Sequence, residues 1–547
     1  MAGAESMRLE LSWPNKDKFL LSPKDETGKP VWVDRSHPAA SEVRLVEWVG
    51  NCGTVNDADP VSDNLLFTGD SLDVLRVLAD HPEFRREYRG RVRCVYIDPP
   101  FNTGQAFEHY DDWMEHSTWL SFMRDRLLLI KELLRVDGTV WVHLDNAEVH
   151  RMRCLMDEIM GAGSFLAQVV WKRTQGKSSA KRGMGTMCDT ILVYGKSDQV
   201  TLKPVLLPLT DKHLAEKYRF TDERGRYSQG DLRAPGLRKG DSGEPWRGRN
   251  PGGRDRHWAA PTVAGVTDGE NADLPTRQRL DLLDAAGYIH WPPGDASVPM
   301  FKRYLREDSG IAVGDLWDDI PRVANTSKER RGYDTQKPEH LLQRVLRMAT
   351  DPGDIVVDVF AGSGTTAATA AKMGRRWVSA DLSPNSIEKF VAPRLTDVVL
   401  GQDEAGVSAE IGWKGGGGFR TATVAPSMYE VSENGIVLLG ERATNGTFAR
   451  AMAAQLDFDS QPYGAPFCGI RGRMRLAVLD GAVGPDEVRS IVSALDEQER
   501  VTVVGQVVLP GAEEMLASLS KGSRIRKAPR DVLADGARRT KRRETAR

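Results

Sequence analysis

Four residues, Asp98-Pro99-Pro100-Phe101, follow a short apolar stretch that is predicted to be a strand, Arg93-Cys94-Val95-Tyr96-Ile97. The amino group of a nucleobase is a poor nucleophile because its lone pair is delocalised into the ring. The Asp98 carboxylate and the Pro99 carbonyl can each accept an N–H bond from such a group and draw its nitrogen towards a tetrahedral geometry. Two prolines fix the direction of that carbonyl, and Phe101 can stack on a base turned out of a duplex. Taken alone, the run is equally consistent with a proline-stiffened strand end.

A glycine-rich turn, Asp358-Val359-Phe360-Ala361-Gly362-Ser363-Gly364-Thr365, lies where a predicted strand passes into a predicted helix. Glycines there let the backbone approach a ligand, and the first N–H groups of the helix point into the same crevice. Asp381 ends the next predicted strand, where its carboxylate can accept the hydroxyls of a ribose. Ala367 replaces the third glycine of a dinucleotide fingerprint. Asp358 would repel a pyrophosphate but suits an ammonium group, which favours S-adenosylmethionine over NAD.

Strands and helices alternate on both sides of these two motifs, which predicts an α/β fold with a parallel sheet. Around the first motif we predict strands at 65–67, 93–97 and 139–144 and helices at 71–79 and 118–135. Around the second we predict a helix over 338–348, a strand over 355–358, a helix over 365–373 and a strand over 377–380.

Changes in the alternation of predicted strands and helices divide the chain into six segments. We predict an irregular N-terminal arm at 1–60, the catalytic part of the main domain at 61–200, a target-recognition insert at 201–330, the cofactor part at 331–400, a C-terminal α/β region at 401–520 and a basic tail at 521–547. The insert is rich in Arg, Gly, Pro and Trp, and the concentration of Lys and Arg from Arg538 to Arg543 predicts disorder for that part of the tail.

Composition sets outer limits on the function. The 547 residues are 40% hydrophobic and 28% charged with a net charge of -2, as in an ordinary globular chain, and no apolar run is long enough to span a membrane. The five cysteines are far apart and form no CxxC pair, so we expect neither a metal site nor disulfides. This cysteine usage suits the reducing cytoplasm.

Together the motifs resemble those of DNA adenine-N6 methyltransferases in which the catalytic loop precedes the cofactor turn, and most of all the modification subunits of type III restriction–modification systems. Three passages carry this resemblance: Tyr96-Ile97-Asp98-Pro99-Pro100-Phe101-Asn102-Thr103-Gly104, Gln336-Lys337-Pro338-Glu339 and Gly412-Trp413-Lys414-Gly415-Gly416-Gly417-Gly418-Phe419-Arg420. A late segment, residues 525–533, is also similar to the end of that family's chains. The resemblance covers most of residues 61–535, strongly in the catalytic half and weakly in the insert.

The resemblance implies a Rossmann-like, S-adenosylmethionine-dependent methyltransferase sheet with an inserted target-recognition domain and a small C-terminal α/β appendage. It implies that Asp70 meets the adenine of the cofactor, that Lys337 and Pro338 line its methionine end and that Asp358 lies near its ammonium group. The predicted catalytic residues are Asp98, Pro99, Pro100 and Phe101, and the predicted cofactor-binding residues are Asp70, Lys337, Asp358, Phe360, Gly362, Gly364 and Asp381. A Ser in place of Asp98 would indicate cytosine N4, so Asp98 with Phe101 favours adenine.

We expect double-stranded DNA as the substrate, a homodimer, no membrane contact and a helicase–nuclease restriction subunit as a candidate partner. Residues 171–187 carry five basic residues and no acid, which suits a phosphate clamp or a merely solvated loop. Between Arg224 and His257, nine Arg and Lys accompany Tyr227, Trp246 and Trp258, and we expect base readout within 200–320. The alternatives are a non-catalytic DNA-recognition subunit and a methyltransferase that acts on RNA.

Overall fold

The chain forms two compact units in this computed structural model. The described residues are 10–23, 29–103, 114–174, 176, 184–251, 255–294, 297–306, 309–432, 437–444, 446–460 and 465–545. One unit comprises residues 1–203 and 314–547, and the other is the continuous stretch 204–313. The sequence predicted an insert at 201–330, whereas residues 314–330 belong to the first unit.

A ten-stranded sheet organises the first unit. In chain order its strands are β1 (Val46–Gly53), β2 (Asn64–Thr68), β3 (Val92–Ile97), β4 (Leu134–Leu144), β5 (Phe165–Lys172), β6 (Cys188–Gly195), β7 (Leu316–Trp317), β8 (Ile355–Asp358), β9 (Arg376–Asp381) and β10 (Gly418–Val424). Their order across the sheet is β7-β5-β6-β4-β3-β8-β9-β2-β10-β1. Every residue of β3 and β8 is buried, as expected for inner parallel strands that are covered on both faces.

The sheet is mixed, which corrects the prediction of a parallel sheet. Six adjacent strands, in the order β4-β3-β8-β9-β2-β10, run parallel to one another. By contrast, β6 is antiparallel to both of its neighbours, and β1 is antiparallel to β10. Parallel neighbours need a long crossover connection, usually a helix. No helix is described between β5 and β6, so these two strands can pair antiparallel.

The helices that accompany the sheet include α1 (Ser71–Asp80), α2 (Pro82–Tyr88), α3 (His116–Leu133), α4 (Val149–Met156), α5 (Glu339–Ala349), α6 (Thr365–Lys372) and α7 (Ala392–Leu400). Of these, α1, α3, α5 and α6 lie close to where the apolar spacing predicts them. In α3, buried Leu120, Met123, Leu127 and Ile130 recur every three or four residues and pack into the same core as β3. That helix ends at Leu133, two residues earlier than predicted, because β4 begins at Leu134.

The N-terminal region is more regular than the predicted arm at 1–60. Phe19–Ser22 and Val31–Val33 form an antiparallel pair, and β1 completes the main sheet by pairing with β10. β10 itself lies beyond residue 400, inside the predicted C-terminal region. The predicted boundaries at 60 and 400 cut through the sheet because its edge strand β1 and the neighbouring β10 carry no helix-alternation signal.

The second unit, residues 204–313, contains a four-stranded antiparallel sheet and a helix, Thr276–Ala285. The strands lie in the order Phe220–Asp222, Gly225–Asp231, Met300–Tyr304 and Ile289–His290. Shorter elements are the helix Asp211–Lys217 and the antiparallel pairs of Arg233–Pro235 with Arg256–Trp258 and of Leu206–Leu207 with Ile311–Ala312. Leu280 and Leu283 of the helix Thr276–Ala285 are fully buried in the unit's own core.

The C-terminal region forms a five-stranded sheet with helices, as the predicted α/β appendage requires. Its strands are Asp459–Ser460, Gly469–Arg471, Met474–Val483, Arg500–Val508 and Arg524–Lys527, and its helices are Thr447–Leu456, Pro485–Ser493, Ala512–Leu519 and Arg530–Thr545. The prediction of disorder for Arg538 to Arg543 is wrong, because this run lies within the helix Arg530–Thr545. Val532 and Leu533 are buried, because apolar residues between the basic ones give this last helix a face to pack.

In the part of the chain that the structure describes, no helix is both long enough and apolar enough to cross a membrane.

Candidate active site

Four acidic side chains lie at the carboxyl ends of four neighbouring parallel strands. Asp98 follows β3, Asp358 ends β8, Asp381 ends β9 and Asp70 follows β2, and these strands are adjacent in that order. In open α/β sheets this edge is where ligands bind. All four acids line one cavity of about 620 Å³.

The cavity brings most of the sequence-predicted site together. Besides the four acids it is lined by Pro99, Pro100, Phe101, Lys337, Phe360 and Gly362. Gly364 does not line it. That glycine precedes α6 with a φ of +75°, and an added Cβ would meet Val391 at 3.0 Å, so its position serves the turn rather than the cavity.

The two carboxylate oxygens of Asp98 have different surroundings. Oδ2 accepts a hydrogen bond from the Lys337 ammonium group, which also lies 5.2 Å from the centre of the Phe101 ring. Oδ1 is buried and has no hydrogen-bond partner among the described residues. An unpartnered buried carboxylate oxygen is costly, so a donor from a ligand would be favoured at this atom.

The backbone of the proline pair also presents one free acceptor. Trp119, a fully buried residue of α3, donates its indole N–H to the Pro100 carbonyl at 2.8 Å. No described residue donates to the carbonyl of Pro99. Asp98 and Pro99 therefore both keep an unoccupied acceptor, as the loop chemistry predicts.

The residue after the loop, Asn102, holds a left-handed backbone with a φ of +60°. Its side-chain amide donates to Glu148 Oε1 at 2.6 Å and accepts from the Met114 N–H at 2.6 Å. Asn tolerates a left-handed backbone better than most residues, so Asn102 allows the chain to turn directly after Phe101. Gly104 of the same passage lies outside the described residues.

The glycine-rich turn is organised by Asp358 and Asp381. Asp358 accepts the Phe360 N–H at 3.0 Å and the Thr366 hydroxyl at 2.5 Å. Asp381 accepts the Gly362 N–H at 2.9 Å and the Ser383 N–H at 3.0 Å. Each carboxylate retains lone pairs for a ligand.

The ionisation of these two acids is shifted by their surroundings. Burial raises the pKa of Asp358 to about 7, against hydrogen bonds that lower it, and the charges of Asp98 and Asp381 raise it further. Burial likewise raises the pKa of Asp381. A cation in the cavity would stabilise both carboxylates in their charged form.

Sequence reasoning missed the partner of Asp70. Arg126 of α3 bonds both carboxylate oxygens, at 2.9 and 2.8 Å, while Asp70 Oδ1 also caps α1 through the Leu72 N–H at 2.8 Å. The guanidinium lies 3.4 Å from the centre of the Phe122 ring. Asp70 is thus engaged by its own chain, and Phe122 and Arg126 join it in lining the cavity. The signal in the sequence is the charged run Arg124-Asp125-Arg126 inside an otherwise apolar stretch of α3.

A buried ionic cluster behind the turn was also missed. Glu339, which begins α5, pairs with Lys372 at 2.8 Å and with Arg394 at 2.8 Å, and Lys372 reaches Asp403 at 3.1 Å. Arg394 then bonds the Thr365 hydroxyl at 2.8 Å, and that hydroxyl donates to the Lys337 carbonyl at 3.1 Å. The cluster therefore ties the Lys337 segment to the glycine-rich turn.

The predicted DNA-facing residues behave differently from one another. Trp246, Trp258 and Tyr227 are buried in the second unit, so none of them is free to stack on a base. Several arginines of that unit are neutralised by carboxylates of the same unit: Arg233, Arg247, Arg256 and Arg277. In the predicted clamp, Arg173 lies 3.1 Å from Asp189, whereas Lys177, Lys181 and Arg182 lie outside the described residues.

Comparison with known proteins places the site within one family. The family described as DNA methylase matches residues 92–392. The chain is similar to the type II methyltransferase M.EcaI of Enterobacter cloacae, with 32% identity over 54% of this chain and 62% of that protein. It is similar to the type III restriction-modification enzyme StyLTI Mod subunit of Salmonella typhimurium, with 30% identity over 56% of this chain and 49% of that protein.

A further relative is covered over more of its length. The DNA adenine methyltransferase YhdJ of Escherichia coli is 43% identical over 54% of this chain and 74% of that protein. By contrast, the chain spans only 62% and 49% of the lengths of M.EcaI and the StyLTI Mod subunit. The matched family region contains the Asp98 loop, the insert and the glycine-rich turn.

Proposed function

Because the chain belongs to the DNA methylase family, we propose that it transfers a methyl group from S-adenosylmethionine to the N6 amino group of adenine at a specific site in double-stranded DNA. The observation that carries this proposal is the buried, unpartnered Oδ1 of Asp98 beside the free carbonyl of Pro99. Two acceptors fixed on one loop match the two N–H groups of an adenine amino group.

The chain's own residues prepare the amino group for attack. Asp98 Oδ1 and the Pro99 carbonyl each accept one N–H bond, which draws the nitrogen lone pair out of conjugation with the ring. Lys337 donates a hydrogen bond to Asp98 Oδ2 and so keeps the carboxylate oriented. After methyl transfer, Asp98 can take up the proton that the nitrogen loses.

The polar groups that line the cavity fit S-adenosylmethionine. Burial raises the pKa of the Asp358 carboxylate, and the ammonium group of the cofactor would stabilise its charged form. Asp381 can accept the ribose hydroxyls, and the Phe360 and Phe122 rings, 6.2 Å apart, offer an apolar wall. When bound, the cofactor supplies a methyl group made electrophilic by its sulfonium.

Adenine is favoured over cytosine by the side chains around Asp98. Phe101 provides a flat apolar surface for an extruded base, and an acid at position 98 suits the adenine amino group. Cytosine N4 methylation is the nearest alternative chemistry, and the DNA adenine methyltransferase named among the relatives supports the adenine assignment.

The proposal is tested by measuring which bases of the host DNA are methylated after the chain is expressed. Genomic DNA from a methylation-free bacterium that expresses the wild-type chain should contain N6-methyladenine at one sequence motif, detected by nucleoside mass spectrometry and long-read sequencing. Asp98→Ala should abolish the mark while cofactor binding measured by calorimetry persists. N4-methylcytosine instead of N6-methyladenine, or an undiminished mark in Asp98→Ala, would contradict the proposal.

The assembly is proposed separately from the chemistry. By likeness to the type III Mod subunits, we infer a homodimer that recruits a helicase–nuclease subunit in a restriction–modification system. Light scattering of the purified chain tests the dimer. A monomer at micromolar concentration, together with no nuclease gene beside this one, would contradict this assembly and leave the methyl transfer unaffected.

A further inference from the structure

His143 is a fully buried histidine on β4 that lies beneath the candidate catalytic loop. Its imidazole stacks against the Phe101 ring, with centroids 5.8 Å apart and an interplanar angle of 26°. On its other side the Trp171 indole meets it edge-on at 5.5 Å and 89°. The loop aromatic therefore rests on a ring that belongs to the rigid sheet.

Two hydrogen bonds on opposite ring nitrogens restrain the rotation of His143. The Tyr96 hydroxyl lies 2.7 Å from Nδ1, and Asp189 Oδ2 lies 3.4 Å from Nε2. With Nε2 donating to the carboxylate, Nδ1 can accept the Tyr96 proton. Tyr96, His143, Asp189 and Trp171 come from β3, β4, β6 and β5, four strands that are adjacent in the sheet.

The carboxylate of this network has its own cation. Asp189 is buried, and Arg173 Nε lies 3.1 Å from its Oδ1. Burial alone would raise the pKa of Asp189, but the hydrogen bond from His143 and the charge of Arg173 hold it below its ordinary value. Asp189 therefore remains an acceptor for His143.

We propose that His143 is a positioning residue that sets the plane of the Phe101 ring for stacking on the extruded target base, with Tyr96 and Asp189 holding its imidazole in place. This inference rests on the proposed function. Phe101 is partly buried and packs against the core, and its ring stacks on the His143 imidazole. A rotated imidazole would tilt Phe101, and small misplacements of a group that orients a substrate are costly in rate.

The test is a double-mutant cycle between His143 and Phe101, run with a duplex that contains the mapped recognition motif. We expect His143→Gln to lower the single-turnover rate of methyl transfer by about tenfold or more. In the Phe101→Ala background the same change should add little, because both substitutions remove one function. Tyr96→Phe deletes only the hydroxyl and should lower the single-turnover rate by a smaller factor. This variant replaces His143→Gln in the test if His143→Gln does not fold.

A second readout follows the base itself. A duplex with 2-aminopurine at the target position should fluoresce more with His143→Gln and S-adenosylhomocysteine than with the wild type, because a base stacked less well on Phe101 is quenched less. The affinity for S-adenosylhomocysteine, measured by calorimetry, should stay near the wild-type value. His81→Gln is the matched control, since His81 is a buried histidine outside the cavity lining.

Each outcome decides between the hypotheses. An unchanged rate in folded His143→Gln overturns the positioning role, and so do additive losses in the cycle or an equal loss of S-adenosylhomocysteine affinity. A wild-type chain that methylates no adenine overturns the proposed function instead, whatever the His143 variants do.

Discussion

At the scale of single residues, Asp358 couples ionisation to ligand binding. Its pKa of about 7 means that, near neutral pH, part of the population must lose a proton before an ammonium group can pair with the carboxylate. We predict that the affinity for S-adenosylhomocysteine, which carries the same ammonium group, rises as the pH increases from 6 to 8. Calorimetry in buffers of different ionisation enthalpy should detect proton release, and Asp358→Asn should abolish that release. Uptake of protons would contradict the prediction.

The same group predicts a pH effect on stability with a definite sign. Because the folded pKa, about 7, lies above the ordinary value of 3.8, the folded state binds more protons than the unfolded state between them. This contribution to the free energy of unfolding is fully present below about pH 4 and is lost as the pH rises to about 7. Urea unfolding of the ligand-free chain should therefore show Asp358→Asn gaining stability relative to the wild type from pH 5 to pH 8.

At the scale of elements, the turn between β8 and α6 requires glycine at one position that faces the cavity. Gly362 has a φ of +52°, and an added Cβ would meet the Tyr333 ring at 3.3 Å. Gly353 has a φ of +85° with nothing within 4 Å of an added Cβ. Each change to Ala should cost about 1–2 kcal/mol of stability for the left-handed backbone, but only Gly362→Ala should also weaken S-adenosylhomocysteine binding. Equal affinities of the two variants would contradict this.

Two strands of the second unit carry cations that no described carboxylate neutralises. Arg226 on Gly225–Asp231 and Arg303 on Met300–Tyr304 are exposed, and neither guanidinium group has a hydrogen-bond or ion-pair partner among the described residues. Because Ser228 pairs with Arg303, these two arginines share one face of the sheet. We predict that changing both to Ala lowers the slope of log affinity against log salt by about two, as for two lost phosphate contacts.

Fluorescence anisotropy with a duplex, repeated at several salt concentrations, measures that slope. Arg277→Ala is the control, since Arg277 pairs with Asp241 at 2.9 Å and Glu244 at 2.8 Å within its own unit. Its slope should match the wild type. An unchanged slope in the Arg226/Arg303 double variant would remove this face from the DNA contact.

At the scale of the whole molecule, the second unit is an insertion whose ends meet. Leu206–Leu207 pairs with Ile311–Ala312 in an antiparallel ribbon, and the Val313 N–H donates to the Val205 carbonyl at 2.9 Å. A short turn can therefore replace the residues between the two strands. We predict that the chain without the second unit folds and binds S-adenosylhomocysteine like the wild type but no longer methylates DNA at its motif. Calorimetry and long-read sequencing check the two halves of the prediction, and retained motif-specific methylation would contradict it.

The sequence by itself determined the local chemistry of this protein. Asp98-Pro99-Pro100-Phe101 and the turn with Gly362 were both predicted at strand ends, and the structure places both there, because apolar periodicity and glycine positions report local backbone directly. The limits of α1, α5 and α6 agree with the predictions to within one residue for the same reason.

The tertiary structure alone decided which distant residues meet. Lys337 on Asp98, Arg126 on Asp70 and His143 beneath Phe101 are contacts between separate elements, and no local pattern encodes the strand order that creates them. Strand order also added β1 and β10 to a sheet whose predicted limits excluded them. Side-chain partners across a sheet follow from which strands become neighbours, and that depends on burying the whole core at once rather than on any one segment.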